Sequence, residues 1–152
     1  MKKENSEEPR GASGSTIQFI LPITPKSIQH GSRIRRGGKG MFNDPAKQLY
    51  YDQIVEHARF DAPKEPWEGP IGMQLIFYLP RPKKYMGKGY PDDVIFVTGN
   101  PDVTNLIKGT EDGLSKAGFW KNDSQVVTIY ALKVYHEKTG KPGIHVIINK
   151  LS

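Results

Sequence analysis

The sequence predicts a mixed α/β (α+β) fold, one β-sheet packed with two main helices in a single compact domain. Three observations carry this. Several runs alternate apolar and polar residues, the two-residue period of a strand, and two segments repeat apolar residues every three to four positions, the period of a helix. The resulting order β, α, β, α, β, β lacks the regular alternation of a doubly wound sheet. The length of 152 residues favours one domain.

In chain order, Ile17, Phe19, Leu21 and Ile23 give the first strand, which Pro22 and Pro25 confine to an edge or bring to its end. Asn43-Asp44-Pro45 has the form of a helix start, with Asp44 as N-cap and Pro45 at the first helical position. Ala46, Leu49, Tyr50, Ile54, His57 and Ala58 follow at helical spacing and predict a helix of about four turns, closed by Pro63 and Pro66. Ile71, Met73, Leu75, Phe77 and Leu79 form a second alternating strand, and Val94 to Val97 a short one. Asp102 to Ala117 is the second helix. Val103, Ile107, Thr110, Leu114 and Ala117 make its apolar stripe, Leu106 lies beside it, and Gly118 supplies the C-terminal cap. Val126 to Tyr135 and Ile144 to Leu151 are rich in β-formers on either side of a Gly- and Pro-containing segment, which predicts a hairpin.

Lys and Arg number 22 against 16 Asp and Glu, a formal net charge of +6. That sign favours a polyanionic partner, of which nucleic acid is the commonest. Residues 1–15 hold three positive and three negative side chains, are Gly/Ser-rich and nearly free of apolar residues, and are expected to form a disordered tail. The whole excess therefore belongs to residues 16–152. Two Gly- or Pro-rich clusters carry most of it, one with Arg33, Arg35, Arg36 and Lys39, the other with Arg81, Lys83, Lys84 and Lys88 interleaved with Tyr85 and Tyr90. Either one alone is equally a solvated loop; two in one small domain point towards contacts with a phosphate backbone.

The absence of cysteine removes disulfide scaffolds, thiolate zinc sites, iron–sulfur clusters and cysteine nucleophiles. No apolar run approaches the ~20 residues of a membrane span. The opening MKKENSEEPRGASGS has no apolar core of a secretory signal, so a cytoplasmic protein is expected. There is no phosphate loop, dinucleotide fingerprint, paired-His zinc helix or nucleophile elbow, and the four histidines lack ligand spacing.

Residues 100–125, NPDVTNLIKGTEDGLSKAGFWKNDSQ, are the most informative. Asp102 stands at a helix N-terminus, where backbone N–H groups and the dipole attract an anion. Asn105 and Lys108 lie on neighbouring lines of the same helix, and Asp123 falls in a polar turn leading into a strand. Two carboxylates for a hard divalent cation and a lysine to offset phosphate charge are the minimum for metal-assisted phosphodiester hydrolysis. The same residues are also what a helix cap, a solvated lysine and a turn require, and spacing alone does not choose between them. Asp112 lies ten residues along the helix from Asp102, about 15 Å at 1.5 Å per residue, too far to share an ion with it. It is expected at the helix surface or behind the site. Phe119 and Trp120 follow the helix end and are expected to pack in the core.

The run Pro101-Asp102-Val103-Thr104-Asn105-Leu106-Ile107-Lys108, then Glu111-Asp112-Gly113-Leu114, then Lys116 to Val127 with Gly118-Phe119-Trp120 and Asp123-Ser124-Gln125-Val126, resembles the signature of the RusA family of Holliday junction resolvases. The likeness is dense from about residue 100 to 135 and looser over the rest of 16–152. The resemblance implies a RusA-like nuclease domain over 16–152, with Asp102 and Asp123 as metal-binding aspartates and Lys108 as the catalytic helix lysine. It implies that Asn105 orders the helix start or holds a water. It further implies Mg²⁺ or Mn²⁺ as cofactor, a homodimer, and branched DNA, the four-way junction, as substrate. Two positions depart from the family pattern: Thr104 and Asn122 stand where aspartates are usual. Fewer carboxylates weaken the hold on a hard dication. The expected function is thus a metal-dependent, structure-specific endodeoxyribonuclease of DNA recombination and repair. The alternative is a junction-binding protein without catalysis.

Overall fold

Every second side chain of Ile71–Leu79 is buried, so this nine-residue strand forms the middle of the molecule as its alternation predicts. The computed structural model describes residues 15–28, 33–34, 41–42 and 45–151. In chain order the elements are β1 (Thr16–Leu21), β2 (Arg33–Ile34), β3 (Met41–Phe42), α1 (Pro45–Ala58), β4 (Ile71–Leu79), β5 (Ile95–Phe96), α2 (Val103–Lys116), β6 (Val126–Tyr135) and β7 (Gly143–Lys150). Short 3-10 turns occupy Lys83–Tyr85 and Asp123–Gln125. The five-stranded sheet has the order β1-β7-β4-β6-β5, and β2 and β3 form a separate two-stranded ribbon. It is a mixed sheet with two helices, the α+β domain expected.

The predicted hairpin between the last two long strands does not form. β4 lies between them, pairing parallel with β6 and antiparallel with β7. β4 is apolar at nearly every position and largely shielded along its length, and a strand so buried needs a long neighbour on each side to pair its backbone N–H and C=O groups. Residues 136–142 are long enough to cross the end of β4, a gap of two strand spacings or about 10 Å. The parallel β4–β6 pair is joined through α2, the crossover that a parallel pair needs.

α1 begins at Pro45 as predicted, although the proposed cap Asp44 lies outside the described residues. Its buried face is rotated from the predicted one. Tyr50, Tyr51, Ile54 and Ala58 are buried, whereas Leu49 is 59% exposed, and Ala46 and His57 are exposed as well. The cause is the neighbour: α1 packs chiefly on α2, where Gly113 has no side chain. A Cβ at Gly113 would stand 2.7–2.9 Å from side-chain atoms of Ile54, so the missing atom sets how closely the helices approach. On α2 the buried residues are Leu106, Gly109, Thr110, Gly113 and Leu114, with Val103, Ile107 and Ala117 partly covered. Gly118, at φ +94°, adopts the left-handed backbone that turns the chain out of α2 towards β6. Phe119 and Trp120 then enter the core, 0% and 1% exposed, as expected.

Candidate active site

α2 carries the candidate residues at both of its ends. Asp102 is the N-cap residue: its backbone carbonyl accepts from the N–H groups of Asn105 and Leu106 at 3.1 and 3.2 Å. Its own carboxylate makes no capping hydrogen bond and is exposed. The chain into this helix start is fixed by Lys133 of β6, whose ammonium donates to the carbonyls of Gly99 and Pro101 at 2.6 and 2.8 Å. Thr104 is exposed and Asn105 half-buried in the first turn.

Further along α2 the chemistry is denser. The Lys108 ammonium sits 3.6 Å from Glu111 and 3.5 Å from Asp112, one turn on. Because Gly118 reverses the chain, Asp123 returns beside these two residues. One oxygen from each of Glu111, Asp112 and Asp123 lies within 4.8 Å of the others, close enough to hold one metal ion. Among the described residues this is the one group of acidic, His or Cys side chains so arranged. The structure therefore brings Lys108 and Asp123 together, and leaves Asp102 apart. Glu111 is eight residues beyond the first residue of α2, about 12 Å at the helical rise.

Asp112 was expected at the helix surface or behind the site, not as a member of the carboxylate group. It is instead 20% exposed and part of the carboxylate group, because its partner is Asp123 across the turn rather than Asp102 along the helix. Glu111 was not anticipated at all. Its spacing from Lys108, with Asp112 one residue further, is the i, i+3 and i, i+4 pattern that places side chains on one helical face, and that was the available signal.

Two core aromatics hold the carboxylates in place. The Trp120 indole N–H donates to Asp123 Oδ1 at 3.0 Å, and the Tyr51 hydroxyl donates to Asp112 Oδ2 at 3.0 Å. The turn carrying Asp123 is fixed by Gln125, whose side-chain oxygen accepts from the N–H groups of Lys121 and Asn122 at 2.9 and 2.8 Å. Its amide nitrogen donates to the carbonyls of Trp67 and Gly69 at 2.7 and 3.0 Å. The three carboxylates thus project from a core-anchored frame.

Electrostatics follow from this crowding. Burial raises the Glu111 pKa; Lys108 opposes the rise, and the neighbouring charges of Asp123 and Asp112 add to it. For Lys108, burial disfavours the charged form, but Asp112, Glu111 and Asp123 together outweigh it and hold the ammonium pKa above its ordinary value. The Tyr51 phenol is pushed far up by burial and by Asp112, so it remains a hydrogen-bond donor.

A cleft of about 350 Å³ opens at this point between α1 and α2, lined by Lys47, Tyr51, Asp112, Lys116 and Asp123 among others. Lys83, Lys84 and Lys88 lie elsewhere, exposed on the loop after β4. Arg81 of the same basic cluster turns inward and is 8% exposed. Its guanidinium donates to the carbonyls of Tyr85, Pro91, Asp93 and His136 and ties the loop down. Tyr85 packs on Tyr90 and Tyr135, so these rings build the loop. Of the first cluster, Arg33 lies in β2, while Arg35, Arg36 and Lys39 are outside the described residues.

Comparison with known proteins gives the class, a DNA-cleaving hydrolase. The family model described as "Endodeoxyribonuclease RusA" matches residues 22–149. Two curated relatives are similar over most of their length. The crossover junction endodeoxyribonuclease rusA of Lactococcus phage r1t is 33% identical over 125 residues, covering 80% of this chain and 89% of the phage protein. A protein of Bacillus subtilis (strain 168) named YqaN, described as uncharacterized, is 33% identical over 123 residues, covering 77% and 84%. The chain belongs to the RusA endodeoxyribonuclease family. Among the described residues no helix is long and apolar enough to cross a membrane.

Proposed function

We propose that this endodeoxyribonuclease is a metal-dependent, structure-specific enzyme that resolves four-way DNA junctions by paired phosphodiester hydrolysis, serving DNA recombination and repair in the cytoplasm. The observation that carries the reading is the meeting of Asp123 and Lys108, which match the family signature, with Glu111 and Asp112 beside an open cleft. Three carboxylates offer only hard oxygen donors, the set that suits Mg²⁺ or Mn²⁺. A bound divalent cation would offset charge on the phosphodiester and make water a stronger nucleophile. Lys108, kept charged by its three acidic neighbours, stabilises negative charge building on the phosphate. Trp120 and Tyr51 keep two of the carboxylates aimed into the site.

Asp102 enters through a second copy of the chain. Among the described residues no strand pairs with the outer edge of β6 before Lys133, because β5 covers only its end. That stretch, Val126–Leu132, is uncharged and exposes Val127, Ile129 and Tyr130. Two copies pairing antiparallel along this edge about a two-fold axis form an isologous interface. α2 runs back along β6, so the pairing sets the Asp102 end of one copy beside the Asp123 end of the other. A homodimer built this way has two sites, as paired cuts require. Lys83, Lys84 and Lys88, with Arg33, Arg35, Arg36 and Lys39, are proposed to hold the DNA backbone.

The test is cleavage of a synthetic mobile four-way junction by wild type, Asp102→Asn and Asp123→Asn with Mg²⁺ and Mn²⁺ varied. Loss of cleavage with retained junction binding in both variants is expected. Equal cleavage by wild type and variants, or binding by wild type without nicking in either metal, overturns the proposal.

A further inference from the structure

Two lysines that the reading above does not use line the α1–α2 cleft together with Asp112 and Asp123. Lys47 comes from the first turn of α1 and Lys116 from the last turn of α2. Their ammonium groups stand 5.8 and 4.4 Å from the centre of the same Tyr51 ring. Neither forms an ion pair among the described residues, although Asp112 and Asp123 line the same cleft. A cation over an aromatic face is held by the ring quadrupole without being neutralised. Two like charges gathered on one ring repel each other, and a bridging polyanion relieves that repulsion.

We propose that Lys47 and Lys116 bind a DNA phosphate next to the scissile one, with Tyr51 as the positioning residue that holds both ammonium groups at the cleft. The inference rests on the nuclease reading and adds to it the track of the strand: between α1 and α2, over Tyr51, and past Asp112 and Asp123. The cleft volume suits a backbone segment, and its two kinds of charged group divide the work. The lysines take the non-bridging oxygens of a neighbouring phosphate, and the carboxylate side takes the reacting one. Tyr51 therefore serves both kinds of group, its hydroxyl fixing Asp112 and its ring fixing the lysines.

Junction affinity measured in EDTA across a salt series tests this without any contribution from bound metal. Each phosphate neutralised contributes about 0.9 to the slope of log affinity against log salt, and the two lysines share one phosphate in each copy of the chain. Lys47→Gln with Lys116→Gln should lower the magnitude of that slope by about 1 for each copy of the chain on the junction, and each single change by less. Lys64→Gln, on the exposed loop after α1, should leave the slope at the wild-type value. Tyr51→Phe retains the ring and should keep the slope while slowing cleavage. A double variant with the wild-type slope overturns the proposal, as does an equal fall from Lys64→Gln. If wild type cleaves no junction with Mg²⁺ or Mn²⁺, the catalytic reading falls while the salt slope still decides this one.

Discussion

The two ends of α2 are built differently. At its start, Asp102 is exposed and its carboxylate makes no capping hydrogen bond, although the backbone around it is held by Lys133. Three turns on, Glu111 and Asp112 meet Asp123 and Lys108, and the buried rings of Trp120 and Tyr51 donate hydrogen bonds to the carboxylates. One end is closed over by its own chain and the other faces outward. A family signature that spans both ends therefore describes side chains that a single copy does not bring together. The proposed dimer joins an open end to a closed one, so each site uses a firmly held carboxylate group and a more accessible aspartate.

A large effect on both metal affinity and rate is expected from loosening the closed end. Trp120→Phe keeps the buried ring but removes the only donor it offers Asp123, and cleavage should fall roughly 10- to 100-fold, the usual cost of losing a group that orients a ligand. Single-turnover cleavage with a parallel Mn²⁺ titration checks this; unchanged metal affinity and rate would show that Asp123 needs no such support. Gly113→Ala acts on the packing behind the same end. Its new Cβ would press on Ile54, and overpacking of this kind costs about 1–3 kcal/mol, readable as a lower Tm. At the open end, Asp102→Asn should change stability by less than about 0.5 kcal/mol, as for most surface substitutions, while it removes cleavage. A marked loss of Tm there would erase the contrast between the two ends.

The smallest effect concerns pH. Burial raises the Glu111 pKa, so the folded protein binds this proton more tightly than the unfolded chain does. Stability from this group is present at low pH and is lost as pH rises from the unfolded value, about 4.3, through the higher folded one. Glu111→Gln removes the penalty. Its Tm at neutral pH should exceed that of wild type, and the difference should vanish below about pH 4. A variant less stable than wild type at neutral pH would mean that Glu111 is held favourably by Lys108.

Local patterns carried most of the elements. Alternation located Ile71–Leu79, and the Pro45 start and Gly118 end bounded the helices, because those signals depend only on neighbours in sequence. Strand order did not follow from them. The insertion of β4 between β6 and β7 depends on which strand must be covered on both sides, a property of the whole sheet. The α1 face was misplaced by about one residue because its neighbour is a glycine-lined helix, and nothing within α1 records that. For the site, Lys108 and Asp123 were legible from the signature. Glu111 and Asp112 stand in that signature too, but their meeting with Asp123 was not legible, since it comes about only after the chain reverses at Gly118. Arg81 shows the same limit. By sequence it is one more cation of a basic loop, whereas its guanidinium is spent on four backbone carbonyls inside the fold.

Mixing two inactive proteins tests most directly whether the open end of one copy completes the closed end of another. Asp102→Asn and Asp123→Asn proteins are each purified, mixed under conditions that allow subunits to exchange, and assayed for nicking of a four-way junction. In a mixed dimer with shared sites, one site carries both substitutions and the other carries neither. Nicking activity should return, approaching half the wild-type value per mixed dimer and cutting one strand per junction. If every site is complete within one chain, each site of the mixed dimer lacks an aspartate. The mixture would then stay as inactive as its parts, and that result would contradict the account.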